Sequence, residues 1–462
     1  MARPADELRR LIAASVQTLL IYRQRHSHLS TGFASIGTMR ILLLLLGAGL
    51  IHAQEYDLLL KGGHVIDPKN KISARRDVAI KDGRIAAVAA EIPATKAAKT
   101  VNVAGLYVTP GLVDLHVHVF AGTGTAYTGP SSVRPDDHSF RSGVTTVVDA
   151  GSSGWRNFED FKKLIIDRAR TRVLAMLNIV GAGMAGDAEQ NLQDMDPNKA
   201  AEMAARHKDV IVGIKTAHFA GPEWTPVENA VKAGEIAGVP VMVDFGRFRP
   251  ERPFEDLVTK KLRPGDIYTH MFLSSVPMLD DSGRLRPFLA DARKRGVLFD
   301  VGHGGGSFLF RQAVPAIRQG FLPDSISTDL HIGSMNGAMA TMLTTLSKFI
   351  NMGMTLDDVI LRATWNPARQ IKREELGHLS AGAPADIAVL RLMKGNFGFF
   401  DVNGARMQGT QKLEGELTVS RGKVVWDLNG ITRSDWKALG HYDAQGDPRW
   451  DGIVQPENRA RK

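Results

Sequence analysis

His116 and His118, in the run Asp114-Leu115-His116-Val117-His118, are the residues whose type and spacing speak most directly of chemistry. In an extended strand residues i and i+2 face the same way, so both imidazoles leave one side of the backbone. Two neutral imidazoles on a rigid strand can bind one metal ion. A lone strand histidine is more often a satisfied core residue; a pair at this spacing, after Pro110-Gly111 and beside Asp114, reads as ligands. Four further polar groups end apolar stretches in the same manner. Lys215 closes Val-Gly-Ile-Lys, His270 closes Tyr-Thr-His, His303 follows Asp300-Val301-Gly302, and Asp329 closes Ser-Thr-Asp. Singly, each could be a lysine reaching solvent or a capping aspartate. Recurring on four strands, they read as a site built where strands end. The chain has no cysteine, so thiolate metal sites, disulfides and cysteine nucleophiles are excluded. Any transition metal must be held by His, Asp, Glu or a modified Lys.

The elements that must position these groups follow two rhythms. Tyr56–Lys61, His64–Ile66, Asp77–Lys81 and Ile85–Val88 alternate like strands and are separated by Gly62-Gly63, Asp67-Pro68 and Asp82-Gly83. From Thr109-Pro110-Gly111 onward, apolar strand segments alternate with helical ones. Eight strands are expected: Val113–Val119, Thr145–Asp149, Val173–Ile179, Val210–Lys215, Val239–Phe245, Ile267–Phe272, Val297–Val301 and Ser325–Asp329. Helices are expected between them at Phe158–Arg172, Lys199–Lys208, Pro226–Ala237 and Leu285–Arg295, and after them at Ala338–Met352 and Leu356–Ile371. Eight β-then-α units in succession predict a distorted (β/α)8 TIM barrel, whose active site lies at the C-terminal ends of the strands. Strands return at Ala385–Leu390, Leu413–Ser420 and Lys423–Asp427. The two strand-rich flanks predict a small β-sandwich domain made from both ends of the chain. The expected division is a leader over 1–53, the first part of the small β domain over 54–108, the barrel over 109–375, the second β part over 376–432 and a polar tail over 433–462.

The 462 residues are 44% hydrophobic and 23% charged, ordinary for a globular protein with a sizeable core. The net charge of +9 invites a nucleic-acid reading. Six arginines against Asp6 and Glu7 in the first 53 residues supply four of those charges, and the rest are spread without a basic run. A small-molecule substrate is expected instead, and no nucleic acid. Met39-Arg40 is followed by the apolar run Ile41–Ile51 and then His52-Ala53, the parts of a secretory signal cut after Ala53. The run is too short for a membrane span, which needs about 20 apolar residues. Residues 1–38 then read as an over-extended frame or a leader, and a periplasmic or secreted location is expected. If 39–53 is not a signal, the location would be cytoplasmic.

The segment Thr-Pro-Gly-Leu-Val-Asp-Leu-His-Val-His at 109–118, together with the later Lys, His and Asp, resembles the amidohydrolase superfamily. Phe-Asp-Val-Gly-His-Gly-Gly-Gly-Ser-Phe (299–308) and Ser-Ile-Ser-Thr-Asp-Leu-His (325–331) are similar to its amidohydrolase/deacetylase group, the dihydroorotase-like metallohydrolases. The resemblance runs from about Tyr56 to about Asp427. It implies two divalent metal ions, Zn2+ foremost, with His116 and His118 on the more buried one and His270 on the more exposed one. It implies a carboxylated Lys215 bridging both ions and Asp329 as both a ligand and the residue that moves a proton from the bridging hydroxide to the leaving group. His303 and Gly304 would lie near the substrate. Members of this family often form homo-oligomers.

Two positions depart from the pattern. Asp244, in Val-Pro-Val-Met-Val-Asp-Phe-Gly, stands where the family usually has a histidine ligand. As a ligand it would favour Mn2+ or Fe2+ at the second position more than an imidazole does; otherwise that position is weak or empty. Beyond Lys215 some relatives carry an arginine suited to a substrate carboxylate, whereas this chain has Thr216-Ala217-His218, and His218 could orient a substrate or be structural. The expected function is metal-dependent hydrolysis of an amide or ester, deacetylation of an N- or O-acylated small acid. Cyclic amide hydrolysis and a non-catalytic binding or assembly role are the alternatives, the last favoured only by Asp244.

Overall fold

The computed structural model describes residues 54–439. The expected leader and signal segment and the tail beyond 439 lie outside the described residues. The first flank supplies β1 (Tyr56–Asp67), β2 (Ile72–Lys81), β3 (Arg84–Ala89), β4 (Ala97–Asn102) and β5 (Tyr107–Pro110). The second supplies β13 (Ile387–Phe400), β14 (Arg406–Ser420) and β15 (Lys423–Asp427). Both flanks enter one eight-stranded sheet in the order β15-β14-β13-β5-β1-β2-β3, with β4 pairing beside β1. The expected sandwich is therefore seen as a single sheet that branches at β1. One half of β1 takes β4 as its parallel neighbour and the other half takes β5. The antiparallel pairing of β5 with β13 joins the two chain ends, over a core that includes Leu60, Val65, Val108, Ile387 and Leu417.

Between the flanks runs a curled, wholly parallel sheet. Its strands are β6 (Leu112–Val117), β7 (Val144–Gly154), β8 (Arg172–Asn178), β9 (Ile211–Ala217), β10 (Val241–Asp244), β11 (Ile267–Tyr268) and β12 (Leu298–Phe299), paired in sequence order. The segment Ser325–Leu330, expected as a strand, makes isolated parallel bridges instead, Ser325 to Asp300 beyond β12 and Leu330 to Val117 on β6. It thus reaches both edges of the sheet. Several strands stop short of expectation because the backbone turns left-handed where the site begins, at His270 (φ 63), Gly302 (φ 47), Gly304 (φ 57) and Asp329 (φ 48). Such turns end a ladder of regular strand hydrogen bonds.

Apolar side chains on one face of the sheet, including Leu115, Val148, Met176, Val212 and Met242, pack together with Ala368 and Ile371. The other face packs under the helices, among them α1 (Pro197–Arg206), α2 (Thr225–Ala237), α3 (Phe288–Lys294), α4 (Phe310–Arg318) and α5 (Met342–Asn351). Asp196 caps α1 through the amides of Asn198 and Lys199, which explains its start two residues before the expected one. The long helix expected over Leu356–Ile371 is two, α6 (Leu356–Ala363) and α7 (Trp365–Gln370), because Thr364 sits at φ −135 and ψ −85. The helix expected at Phe158–Arg172 is a single α turn followed by a π turn over Lys162–Ile166. Among the described residues no helix is long and apolar enough to cross a membrane.

Candidate metal centre

The parallel sheet delivers the chemistry-bearing residues from its C-terminal strand ends. His116 lies on β6 with His118 just past it, Lys215 on β9, Asp244 at the end of β10, and His270 two residues past β11. Asp329 lies on the bridging segment. All six are buried. The imidazoles are oriented from behind. The Thr269 hydroxyl donates to Asp300 Oδ2 at 2.8 Å, so its oxygen must accept from His116 Nδ1, 3.0 Å away. His270 Nδ1 donates to the Gly302 carbonyl at 2.6 Å. His118 Nδ1 lies 3.0 Å from Ser152 Oγ, and the Ser152 hydroxyl and amide both bond Asp149. Fixing Nδ1 in this way leaves Nε2 as the free nitrogen, the arrangement that orients imidazole ligands toward a metal.

The free atoms converge in two groups. Asp329 Oδ1 is 3.6 Å from His116 Nε2 and 3.2 Å from His118 Nε2. Asp244 Oδ2 is 3.1 Å from His270 Nε2 and 3.7 Å from His218 Nε2. The Lys215 amine stands between them, 3.3 Å from His116 Nε2 and 3.4 Å from Asp244 Oδ2. Ligand atoms of His116, His270 and Asp329 lie within 4.8 Å of one another. This donor set fits divalent metal ions: buried, unblocked imidazole nitrogens beside ionised carboxylates, with no thiolate. Gly151 makes room for the lysine, since a Cβ there would stand 2.7 Å from Lys215 Cβ and Cγ.

The electrostatics match. Burial holds His116 well below the usual imidazole range, so it stays a neutral ligand. Burial alone would raise Asp329. Its contacts with His116, His118 and His331 outweigh it and keep that carboxyl well below its ordinary value. Asp244 is held low against its burial, chiefly by His270 and also by His218. His218 is pushed up to about 9 because Asp244 and Glu189 overcome the opposing effect of burial. Glu189 Oε2 is 3.1 Å from His218 Nδ1, and the His218 side chain remains 45% exposed, a cation at the rim that solvent partly screens.

His303 is fully buried, donates from Nδ1 to the Gly304 carbonyl at 3.0 Å, and meets the Lys348 amine with Nε2 at 2.7 Å. Gly304, by contrast, lies against the site: a Cβ there would stand 2.4 Å from Asp329 Oδ2. Sequence reasoning missed Lys348, the rim residue Tyr127, whose ring lies 4.3 Å from that of His118, and the orienting groups Thr269, Ser152 and Asp300. His331 also joins the site: its Nδ1 bonds the Asp329 carbonyl at 2.7 Å and lies 3.5 Å from its carboxylate. Position two beyond Asp329 was the available signal.

A protein of Agrobacterium fabrum named as a deacetylase is 36% identical to this chain over 334 residues, covering 70% of this chain and 80% of that protein. The chain belongs to the amidohydrolase family. The family's own sequence signature, described as "Amidohydrolase family", matches residues 310–425. Among solved structures, one titled as an adenine deaminase superposes with a TM-score of 0.74 at 30% identity, covering 80% of this chain and 100% of that one. Another, titled as a dihydroorotase, gives 0.71 at 32% identity, covering 80% and 99%. This amidohydrolase is thus a hydrolytic enzyme acting on C–N bonds. The family is generally metal-dependent, and the group of His116, His270 and Asp329 is present here.

Proposed function

We propose that this amidohydrolase deacetylates an N- or O-acylated small acid, using two divalent metal ions, zinc foremost, at the ends of the parallel strands. The observation that carries this reading is the pair of donor groups, His116–His118–Asp329 and His270–Asp244, joined by the Lys215 amine. An ammonium at that point would repel cations, whereas a carbamate on the same nitrogen would be an anion within reach of both groups. Lys215 is therefore taken as carboxylated, with Asp244 as the second-group ligand in place of a histidine. Ions held there would supply Lewis acidity and lower the pKa of water. Asp329, kept ionised by its three imidazole neighbours, is suited to accept the proton of the attacking water and return it to the leaving nitrogen or oxygen. Ser325–Leu330 serves as the eighth stave of a barrel, which puts Asp329 over the site. The similarity to a protein named as a deacetylase supports the acyl substrate, and the likeness to a structure titled as a dihydroorotase supports cyclic amide hydrolysis as the second reading.

The reading extends to an exported chain, cut after Ala53, that assembles as a homo-oligomer. The test is metal analysis of the purified chain with a screen of N-acyl amino acids, O-acyl hydroxy acids and cyclic amides. Two metals per chain and turnover of the acyl acids are expected. Metal without acyl turnover but with ring opening moves the assignment to the second reading. A metal-free, inactive protein, even after zinc is supplied, overturns both.

A further inference from the structure

Among the described residues one lysine besides Lys215 is fully buried, Lys348 on α5. Its amine reaches three acceptors: His303 Nε2 at 2.7 Å, the Ala338 carbonyl at 2.7 Å and the Phe400 carbonyl at 2.8 Å. His303 Nδ1 must carry a proton, because it faces the Gly304 carbonyl, so its Nε2 is the acceptor. Three acceptors and three ammonium protons match one for one. That match favours the charged lysine despite burial, which pushes its pKa down to about 7. The Phe308 ring completes the nest, stacked on His303 at 4.5 Å and 13°, with the Lys348 nitrogen 5.3 Å from its centroid.

The three acceptors belong to segments far apart in the sequence. Ala338 precedes α5, Phe400 ends β13 of the flanking sheet, and His303 lies in the turn after β12. Beyond His303 the chain of contacts continues to the site, because Gly304 is held left-handed directly against Asp329 Oδ2. Both ring nitrogens of His303 are occupied, so His303 has none left for a metal or a substrate.

We propose that Lys348 is a positioning residue of the hydrolytic site: its ammonium fixes His303 and the His303–Gly304 turn against which the Asp329 carboxylate rests, and ties that turn to β13. This rests on Asp329 carrying the proton in the reaction proposed above. Losing the ammonium would free the turn and shift the Asp329 carboxylate without touching His116, His118, Lys215, Asp244 or His270. A misplacement of this kind costs on the order of 100-fold in rate.

The absence of cysteine in the chain gives a direct test. Lys348→Cys introduces a single thiol, which can be alkylated with 2-bromoethylamine in denaturant to rebuild a lysine-like ammonium. Wild type is carried through the same unfolding and refolding. Expected for the unalkylated variant is a kcat roughly 100-fold lower, with KM and metal content near wild type. Alkylation should bring kcat back to within a few-fold. If Lys348→Cys does not refold, His303→Gln is measured instead and should show the same loss in kcat with KM preserved. Wild-type kcat in either variant, or a folded Cys variant that alkylation does not rescue, overturns the proposal. A wild-type enzyme that hydrolyses none of the acyl compounds and cyclic amides would overturn the functional reading itself, before any variant is made.

Discussion

At Asp329 a single carboxylate meets three imidazoles, those of His116, His118 and His331. Its ionisation is set by them and not by its exposure, so it stays an anion across the neutral range. Asp329→Asn keeps the shape and removes the proton acceptor. Turnover should fall by on the order of 100-fold or more while the circular dichroism spectrum is unchanged; a variant with substantial activity would remove Asp329 from the chemistry. Asp244 makes a separate prediction. With Oδ2 3.1 Å from His270 Nε2, it is positioned to share a metal with that histidine. Asp244→Ala should therefore lose about one of two metals by elemental analysis, and unchanged stoichiometry would show that it is no ligand. The residues that announced themselves in the sequence were those whose partners share a strand or a strand end. Thr269 and Ser152 were silent because the histidines they orient lie 153 and 34 residues away.

At the scale of elements, the βα rhythm of the parallel sheet was legible because its buried strands read as apolar runs that end in polar groups. The ends themselves were not legible. Left-handed residues cut the expected strands short at His270, Gly302, Gly304 and Asp329, and although glycine, aspartate and histidine favour that conformation, residue type alone does not say which of the chain's many such residues adopt it. At His270 and Asp329 the strain belongs to the site, since these two turns aim the side chains inward. Gly304 is the sharpest case. Alanine at φ 57 costs about 1 kcal/mol, and its Cβ would stand 2.4 Å from Asp329 Oδ2. Gly304→Ala should lower the melting temperature only slightly and cut kcat far more than that shift would suggest. Full turnover would mean that the carboxylate can step aside at no cost.

At the scale of the whole molecule, the parallel sheet and the flanking sheet meet along a seam that the sequence did not disclose, because it joins segments about 200 or more residues apart. The Phe140 carbonyl accepts from Thr418 Oγ1 on β14 at 2.7 Å, and Arg172 pairs with Asp386 at 2.5 Å. His138 lies buried beside this seam, with Nδ1 2.7 Å from Arg141 Nη2 and Nε2 without a partner. Burial, then the Arg141 charge, lowers its pKa to about 4, whereas an unfolded histidine titrates near 6.5. Between those values the unfolded chain binds a proton that the folded chain refuses, so stability rises with pH through that window. Each unit below 6.5 removes up to about 1.4 kcal/mol, and the contribution is spent near pH 4. His138→Gln cannot titrate. The difference in urea midpoint between wild type and this variant should be constant above pH 7 and shift against wild type from pH 6.5 down to pH 4. A flat difference would mean that the His138 ring is hydrated in solution and that the seam opens there to water.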